Sequence, residues 1–335
     1  MEEKKLVDRI RDYGGQAEIG TREDGAILEM KNYNGKLIII KEKAIYELIF
    51  ADEIDPDRTN ENLAPTINKL IINKGAESSI VCKTFITAKT LFNNDHIIQS
   101  INAEKLIVLS LNLLEELNVL NIEIENFRIL QLNEIKHYEE RKKIKSSFQL
   151  PSITELESKC KTIFQKADHA EQILMEIITN FYPNEKLNKQ SHFPKFYEII
   201  KTKYGADDNF TKFLGNTLYF MRAIRELRNG FDHRLQTIRA TNFELLPNGN
   251  INTPTIELNH KEIKLNRTEL LEFLENMEHN FLHITENLFA FLAEKSKRTD
   301  RLPVSVREIP ENKRRYKFVS YSFWSPIGED GYFLQ

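Results

Sequence analysis

Two runs of apolar residues at alternating spacings of four and three constrain this chain more than any other feature. Leu156, Cys160, Ile163, Ala167, Ala170, Leu174, Ile177 and Phe181 form the first, and Leu270, Leu274, Met277, Phe281, Ile284, Leu288 and Phe291 the second. That spacing places each set along one seam of an α-helix, and the seam must be buried against a partner. The first run predicts a helix of about thirty residues. Ser152 and Glu155 in Pro151–Ser152–Ile153–Thr154–Glu155 match a reciprocal capping box at its start, and Pro183 ends it. A shorter helix is expected over 194–204, stopped by Gly205. A third begins near Asp208 or Asn209 and carries Phe213, Thr217, Phe220, Ile224 and Leu227 on one face. A β-hairpin is expected at 242–258, its arms Asn242–Leu246 and Pro254–Leu258 joined through Pro247–Asn248–Gly249. Long helices with matching seams predict an antiparallel bundle with this hairpin inserted.

The first half reads differently. A short helix over 3–13 is closed by Gly14 and Gly15, and strands at 26–30 and 36–40 flank Asn34–Gly35. Asn-Gly tolerates positive φ at both positions and is a strong hairpin signal. Residues 44–50 fit a third strand or a short helix. Helical spacing is expected over 66–73, 79–92 and 103–120, and the alternation of Ile122, Ile124, Phe127 and Ile129 suggests a strand over 121–135. The charged run 137–147 marks a boundary. The expected fold class is an α+β N-terminal domain over 1–147, then a mainly α-helical bundle with a β-hairpin insertion over 148–296, and a tail over 297–335.

A chain of 335 residues suits two domains. Its net charge of −3 supplies no global positive field, so contact with nucleic acid requires a local patch. Cys82 and Cys160 are far apart and form neither a disulfide framework nor a metal spacing. The N-terminal MEEKKLVDRI lacks a basic stretch followed by an apolar run, and no apolar run reaches a membrane span. A cytoplasmic location without membrane contact is expected.

The candidate chemistry lies at Arg228–Asn229–Gly230–Phe231–Asp232–His233, with Arg225 one turn before and Arg234 directly after. An imidazole moves protons near neutral pH, and a guanidinium holds a phosphate oxygen with two parallel bonds. Five residues of regular helix rotate by about 140°, so Arg228 and His233 converge only where the helix ends or distorts. Gly230 is the position expected to allow that. A basic helix end is also an ordinary structural feature, because cations suit the C-terminus of a helix.

Arg228, Asn229 and His233 form an R-N-x-x-x-H pattern late on a helix of a bundle. This resembles the signature of HEPN domains, over roughly residues 152–295, and the fold expected there is HEPN-like. The β-hairpin at 242–258 departs from small members of that family. The resemblance implies a metal-independent endoribonuclease that pairs two motifs across a homodimer, often in bacterial toxin, anti-phage or CRISPR systems. It implies RNA as the partner, with no cofactor and no metal. Arg228, Asn229 and His233 are then the catalytic residues, with Arg225 and Arg234 binding substrate. One His233 per chain cannot serve as both base and acid in one step, whereas two from a dimer can. Asp232 either orients the imidazole or faces water, and water is the favoured reading. The first domain then regulates or recruits, and a regulatory protein partner fits that role. The alternative is a catalytically silent HEPN-like module that binds protein or RNA.

Other features carry less. Asp52, Glu53, Asp55 and Asp57 gather carboxylates, but the EF-hand pattern is missing and Asp and Pro are ordinary in turns. His169 is expected on a solvated face. The tail interleaves cations and rings from Lys313 to Trp324 as nucleic-acid surfaces do, although alternation at Tyr316, Phe318 and Ser320 favours a packed strand.

Overall fold

The computed structural model describes residues 5–12, 17–141, 149–188, 190–260, 262–300, 303–328 and 331–335. A sheet-bearing N-terminal region precedes a helical region. The chain groups into two compact units, residues 1–111 with 293–335, and residues 112–292. This division differs from the expected segments at 147 and 296: residues 112–141 group with the bundle, and the tail groups with the first unit.

The first unit opens with α1 (Leu6–Asp12), and Gly14 and Gly15, expected to close it, lie outside the described residues. Strands β1 (Ile27–Tyr33) and β2 (Lys36–Lys41) form the hairpin, with Asn34 and Gly35 at φ 51° and 86°. Residues 44–50 resolve as a strand, β3 (Ile45–Phe50), followed by the short α2 (Ala51–Ile54). The segment at 66–73 is not a helix. It is β4 (Thr66–Ile72), completing an antiparallel sheet of order β1-β2-β3-β4. Ile67, Leu70 and Ile71 repeat at a spacing that suits a helix as well, and pairing with β3 decides the outcome. Ile19, Ile39, Ala44, Tyr46 and Leu48 form a core on this sheet. Residues 79–91 are helical as expected, with a π-helical stretch, Cys82–Ile86, between α3 (Ser79–Val81) and α4 (Thr87–Leu91).

The next helix, α5, runs without interruption from Ala103 to Arg141, so no strand forms over 121–135. Leu113, Leu117, Leu120, Ile124, Phe127, Gln131 and Tyr138 are buried along it. The four-three seam that begins before residue 120 therefore continues through the stretch that also alternates. The described part of the charged run, 137–141, belongs to this helix, and 142–147 lie outside the described residues.

Helices α6 (Leu156–Phe181), α7 (His192–Tyr204), α8 (Asn209–His233) and α9 (Leu270–Lys295) follow the expected periodicity. Polar pairs fix their register. Asn121 donates to Glu278 at 2.8 Å and Arg128 pairs with Glu275 at 3.0 Å, in antiparallel order along α5 and α9. The capping box is not formed. Glu155 takes a left-handed conformation, and the Asn242 side chain instead binds Ser152 and both backbone groups of Ile153.

The insertion is larger than a hairpin. Strands β5 (Ile238–Thr241), β8 (Thr255–His260) and β9 (Ile263–Glu269) form an antiparallel sheet of order β5-β8-β9, and β6 (Glu244–Leu245) pairs with β7 (Ile251–Asn252) beside it. The turn glycine, Gly249, adopts φ 81°. In the tail, β10 (Ser305–Glu308), β11 (Tyr321–Ser325) and β12 (Tyr332–Leu334) make a third sheet. The expected strand through Tyr316 and Phe318 thus begins only at Tyr321. No helix among the described residues is long and apolar enough to cross a membrane.

The single-helix reading of α5 predicts different costs at two nearby isoleucines. Ile124→Asp, at a fully buried position, should cost more than about 3 kcal/mol, because an unpaired charge enters a packed interior. Ile129 is 54% exposed, so Ile129→Asp should stay within about 0.5 kcal/mol. Urea unfolding of the two variants distinguishes the faces; similar losses in both would contradict this seam.

Candidate functional site

Helix α8 starts where the Asp208 carboxylate accepts from the Phe210 amide at 3.0 Å. Phe210, Leu214, Thr217, Met221, Ile224 and Leu227 are its buried stripe. The helix stays regular to His233, and Arg234 closes it in a left-handed conformation, φ 50°, with its N–H donating to the Gly230 carbonyl. Gly230 therefore neither ends nor bends the helix, contrary to expectation. Its role is contact: a Cβ built there would stand 1.7 Å from Ile238 Cδ1. A larger residue there would force the Ile238 side chain to move.

A regular helix sets the directions of the motif. Arg225, Asn229 and His233 follow one another at intervals of four and share a stripe, whereas Arg228 points about 140° from His233. Arg228 reaches across to that stripe, with Nη1 donating to Asn229 Oδ1 at 3.0 Å. Its Nε lies 2.9 Å from Asp232 Oδ2 and 3.8 Å from Asp168 Oδ2 of α6, close enough for ion pairing but not aligned as a hydrogen bond. Nη2 makes no hydrogen bond to any described residue. Asn229 thus links the guanidinium to the stripe that ends in the imidazole.

Asp232 does not face water as favoured from sequence. It accepts from Gln165 at 2.9 Å and pairs with Lys161 at 3.2 Å and with Arg228. Burial works to raise its pKa, but Lys161, Gln165 and Arg228 together outweigh it and hold the carboxyl below its ordinary value. The neighbouring Phe231 stacks on Phe164 at 5.6 Å. These contacts run antiparallel along α6 and α8 and lock the end of α8 in place.

His233 is exposed and forms no hydrogen bond or ion pair with a described residue. Arg234 is also exposed, and Arg225 is half-buried. A groove of about 860 Å³ opens between the start of α6 and the end of α8, with Lys161, Phe231, Asp232 and Arg234 in its wall. Within one chain, then, Arg228, Asn229 and Asp232 come together, and His233 stands one turn away on the surface. Sequence reasoning missed Asp168, Lys161 and Gln165 as partners. Only Arg228–Asp232, at a spacing of four, was visible as a possible pair.

The other candidates resolve as structural. Arg11 pairs with Asp52 and Asp55 at 2.8 and 2.9 Å, and Arg58 binds Asp8, Asp12 and Asp52. Amides of Thr59 and Asn60 also bind Asp55 and hold its pKa at about 2. Among the described residues, no three His, Cys, Asp or Glu side chains stand close enough to hold a metal ion. His169 is half-exposed, with Nδ1 3.7 Å from Glu116.

No known protein family matches this sequence, and comparison with curated proteins and with solved structures also found no match.

The Gly230–Ile238 contact predicts a coupled pair. Gly230→Ala should cost about 1–3 kcal/mol by overpacking. In an Ile238→Ala background the same change should cost much less, because the atoms it strikes are gone. Chemical denaturation of the four proteins in the cycle measures the coupling, and strict additivity would contradict the close approach.

Proposed function

We propose that the chain is a metal-independent endoribonuclease of the HEPN kind, acting as a homodimer in the cytoplasm as a bacterial toxin or anti-phage effector. The observation that carries this reading is the end of α8. His233 stands free at the surface, one turn beyond an Asn229 that holds Arg228, whose Nη2 remains open to a phosphate oxygen. In the proposed step, the ribose 2′-OH attacks the neighbouring phosphorus and gives its proton to one imidazole. The P–O5′ bond breaks, and a second imidazole protonates the leaving oxygen. Arg228 offsets charge on the five-coordinate phosphorus, while Arg225 and Arg234 hold flanking phosphates. The second imidazole is the partner protomer's His233, which is why the reading requires a dimer. The first 111 residues and the tail then serve to regulate or recruit, alone or with a protein partner.

A second reading rests on a specific observation: Arg228 already lies between Asp168 and Asp232, which offset its charge. A silent HEPN-like module that binds protein or RNA would keep such an anchor for stability alone.

Incubation of the full chain with total RNA in EDTA separates the two. The ribonuclease reading expects cleavage without divalent ions, 2′,3′-cyclic phosphate and 5′-hydroxyl ends, and no attack on DNA, which lacks the 2′-OH. His233→Ala should abolish cleavage with a nearly unchanged melting temperature, since an exposed side chain contributes little to packing. Activity lost on chelation, or 5′-phosphate ends, would overturn the mechanism. RNA binding without cleavage would favour the silent module.

A further inference from the structure

A cavity in the first unit, away from the α8 motif in sequence, has the lining of an anion site. Its volume is about 320 Å³. One wall is β1, where Glu29, Lys31 and Tyr33 alternate with residues of the opposite face such as Met30, which is half exposed. A second wall carries Ile86, the last residue of the π-helical stretch Cys82–Ile86, Lys89 and Thr90 of α4, and Asn93 just beyond that helix. Thr87 Oγ1 donates to the Cys82 carbonyl, five residues back, at 2.8 Å within this widened turn. Such interruptions are concentrated at functional sites. Arg315 and Tyr316 of the tail close the rim.

Three cations and one carboxylate meet there. The Lys89 side chain is 10% exposed and pairs with Glu29, so that charge is offset inside the wall. Burial also holds the Lys89 ammonium below the ordinary lysine pKa. The Tyr33 hydroxyl donates to the same Glu29 at 3.4 Å. Lys31 and Arg315 are exposed and form no ion pair with any described residue. Lys31 Nζ lies 5.7 Å from the Tyr33 ring centre, and the Arg315 guanidinium 5.3 Å from that of Tyr316. Two unneutralised cations across a concave site favour a ligand with two negative charges. Asn93 Oδ1 accepts from the Asp95 amide, which leaves its amide nitrogen to donate. Tyr316 offers a half-buried ring face beside it.

We propose that this cavity binds a phosphomonoester of mononucleotide size, with the phosphate between Lys31 and Arg315 and the base toward Tyr316 and Asn93. The volume is in the lower range of small-ligand pockets, and a doubly charged phosphate matches the two free cations. The site does not depend on the ribonuclease reading.

Isothermal titration of the full chain with AMP, GMP, CMP and UMP, each beside inorganic phosphate and the matching nucleoside, tests it. At least one mononucleotide should saturate with Kd below about 100 μM, and its nucleoside should bind at least about tenfold more weakly. Lys31→Ala with Arg315→Ala should weaken binding at least about tenfold at an unchanged melting temperature, while His233→Ala should bind as the parent does. No saturation by any mononucleotide up to about 5 mM, or an unaffected double variant, would overturn the proposal. Inorganic phosphate binding as tightly as every mononucleotide would overturn the assigned ligand size.

Discussion

Ile238 occupies the space where a side chain on residue 230 would stand, so β5 lies against the same turn of α8 that carries the candidate site. β5 packs onto Gly230, and helix α8 remains regular past it to His233, closing at Arg234. His233, in the last turn of the helix, is exposed, while Arg228, about half a turn before Gly230, stays against α6. A bend at Gly230 would have brought arginine and histidine together within a single chain. The straight helix keeps them apart, and any chemistry that uses both must draw on their separation.

Electrostatic anchoring follows the same logic in both units. Arg11 and Arg58 in the first unit, and Arg228 in the second, each meet two or more carboxylates, and none of these clusters leaves its charge unpaired. The difference lies in what remains open. Arg11 is almost fully buried, and its guanidinium binds Asp52, Asp55 and the Asn60 carbonyl. Arg228 is half-buried, and its Nη2 makes no hydrogen bond to a described residue, which is compatible with the phosphate contact proposed for it. Pairing with Asp232 and Asp168 fixes its position and reduces the entropy lost when a ligand binds.

The helical seams were legible because burial writes its period directly into sequence: α6 and α9 fall where Leu156–Phe181 and Leu270–Phe291 repeat. The Asn34–Gly35 turn was legible because its backbone demands those residues. What stayed hidden depends on distant partners. Residues 66–72 carry apolar positions that suit helix or strand, and only pairing with β3 makes them β4. Residues 121–135 alternate and also continue a helical seam, and burial of Ile124, Phe127 and Gln131 selects the seam. Ser152 and Glu155 spell a capping box, but the Ser152 hydroxyl accepts from Asn242, about ninety positions away, and the Ser152 amide donates to Glu134. Around the motif, sequence mistook Gly230 for a bend and Asp232 for a solvated acid. Both errors come from neighbours, Ile238 and the Lys161–Gln165 pair, that no local pattern announces.

The most direct measurement of the central claim, that paired His233 imidazoles act as base and acid, is the rate of RNA cleavage in EDTA across pH 5 to 9, about two units either side of neutrality. The account predicts a bell, because one imidazole must be neutral and the other protonated in the same dimer. Both limbs should vanish together in His233→Ala. A rate that climbs steadily with pH, or a bell that survives the loss of His233, would contradict it.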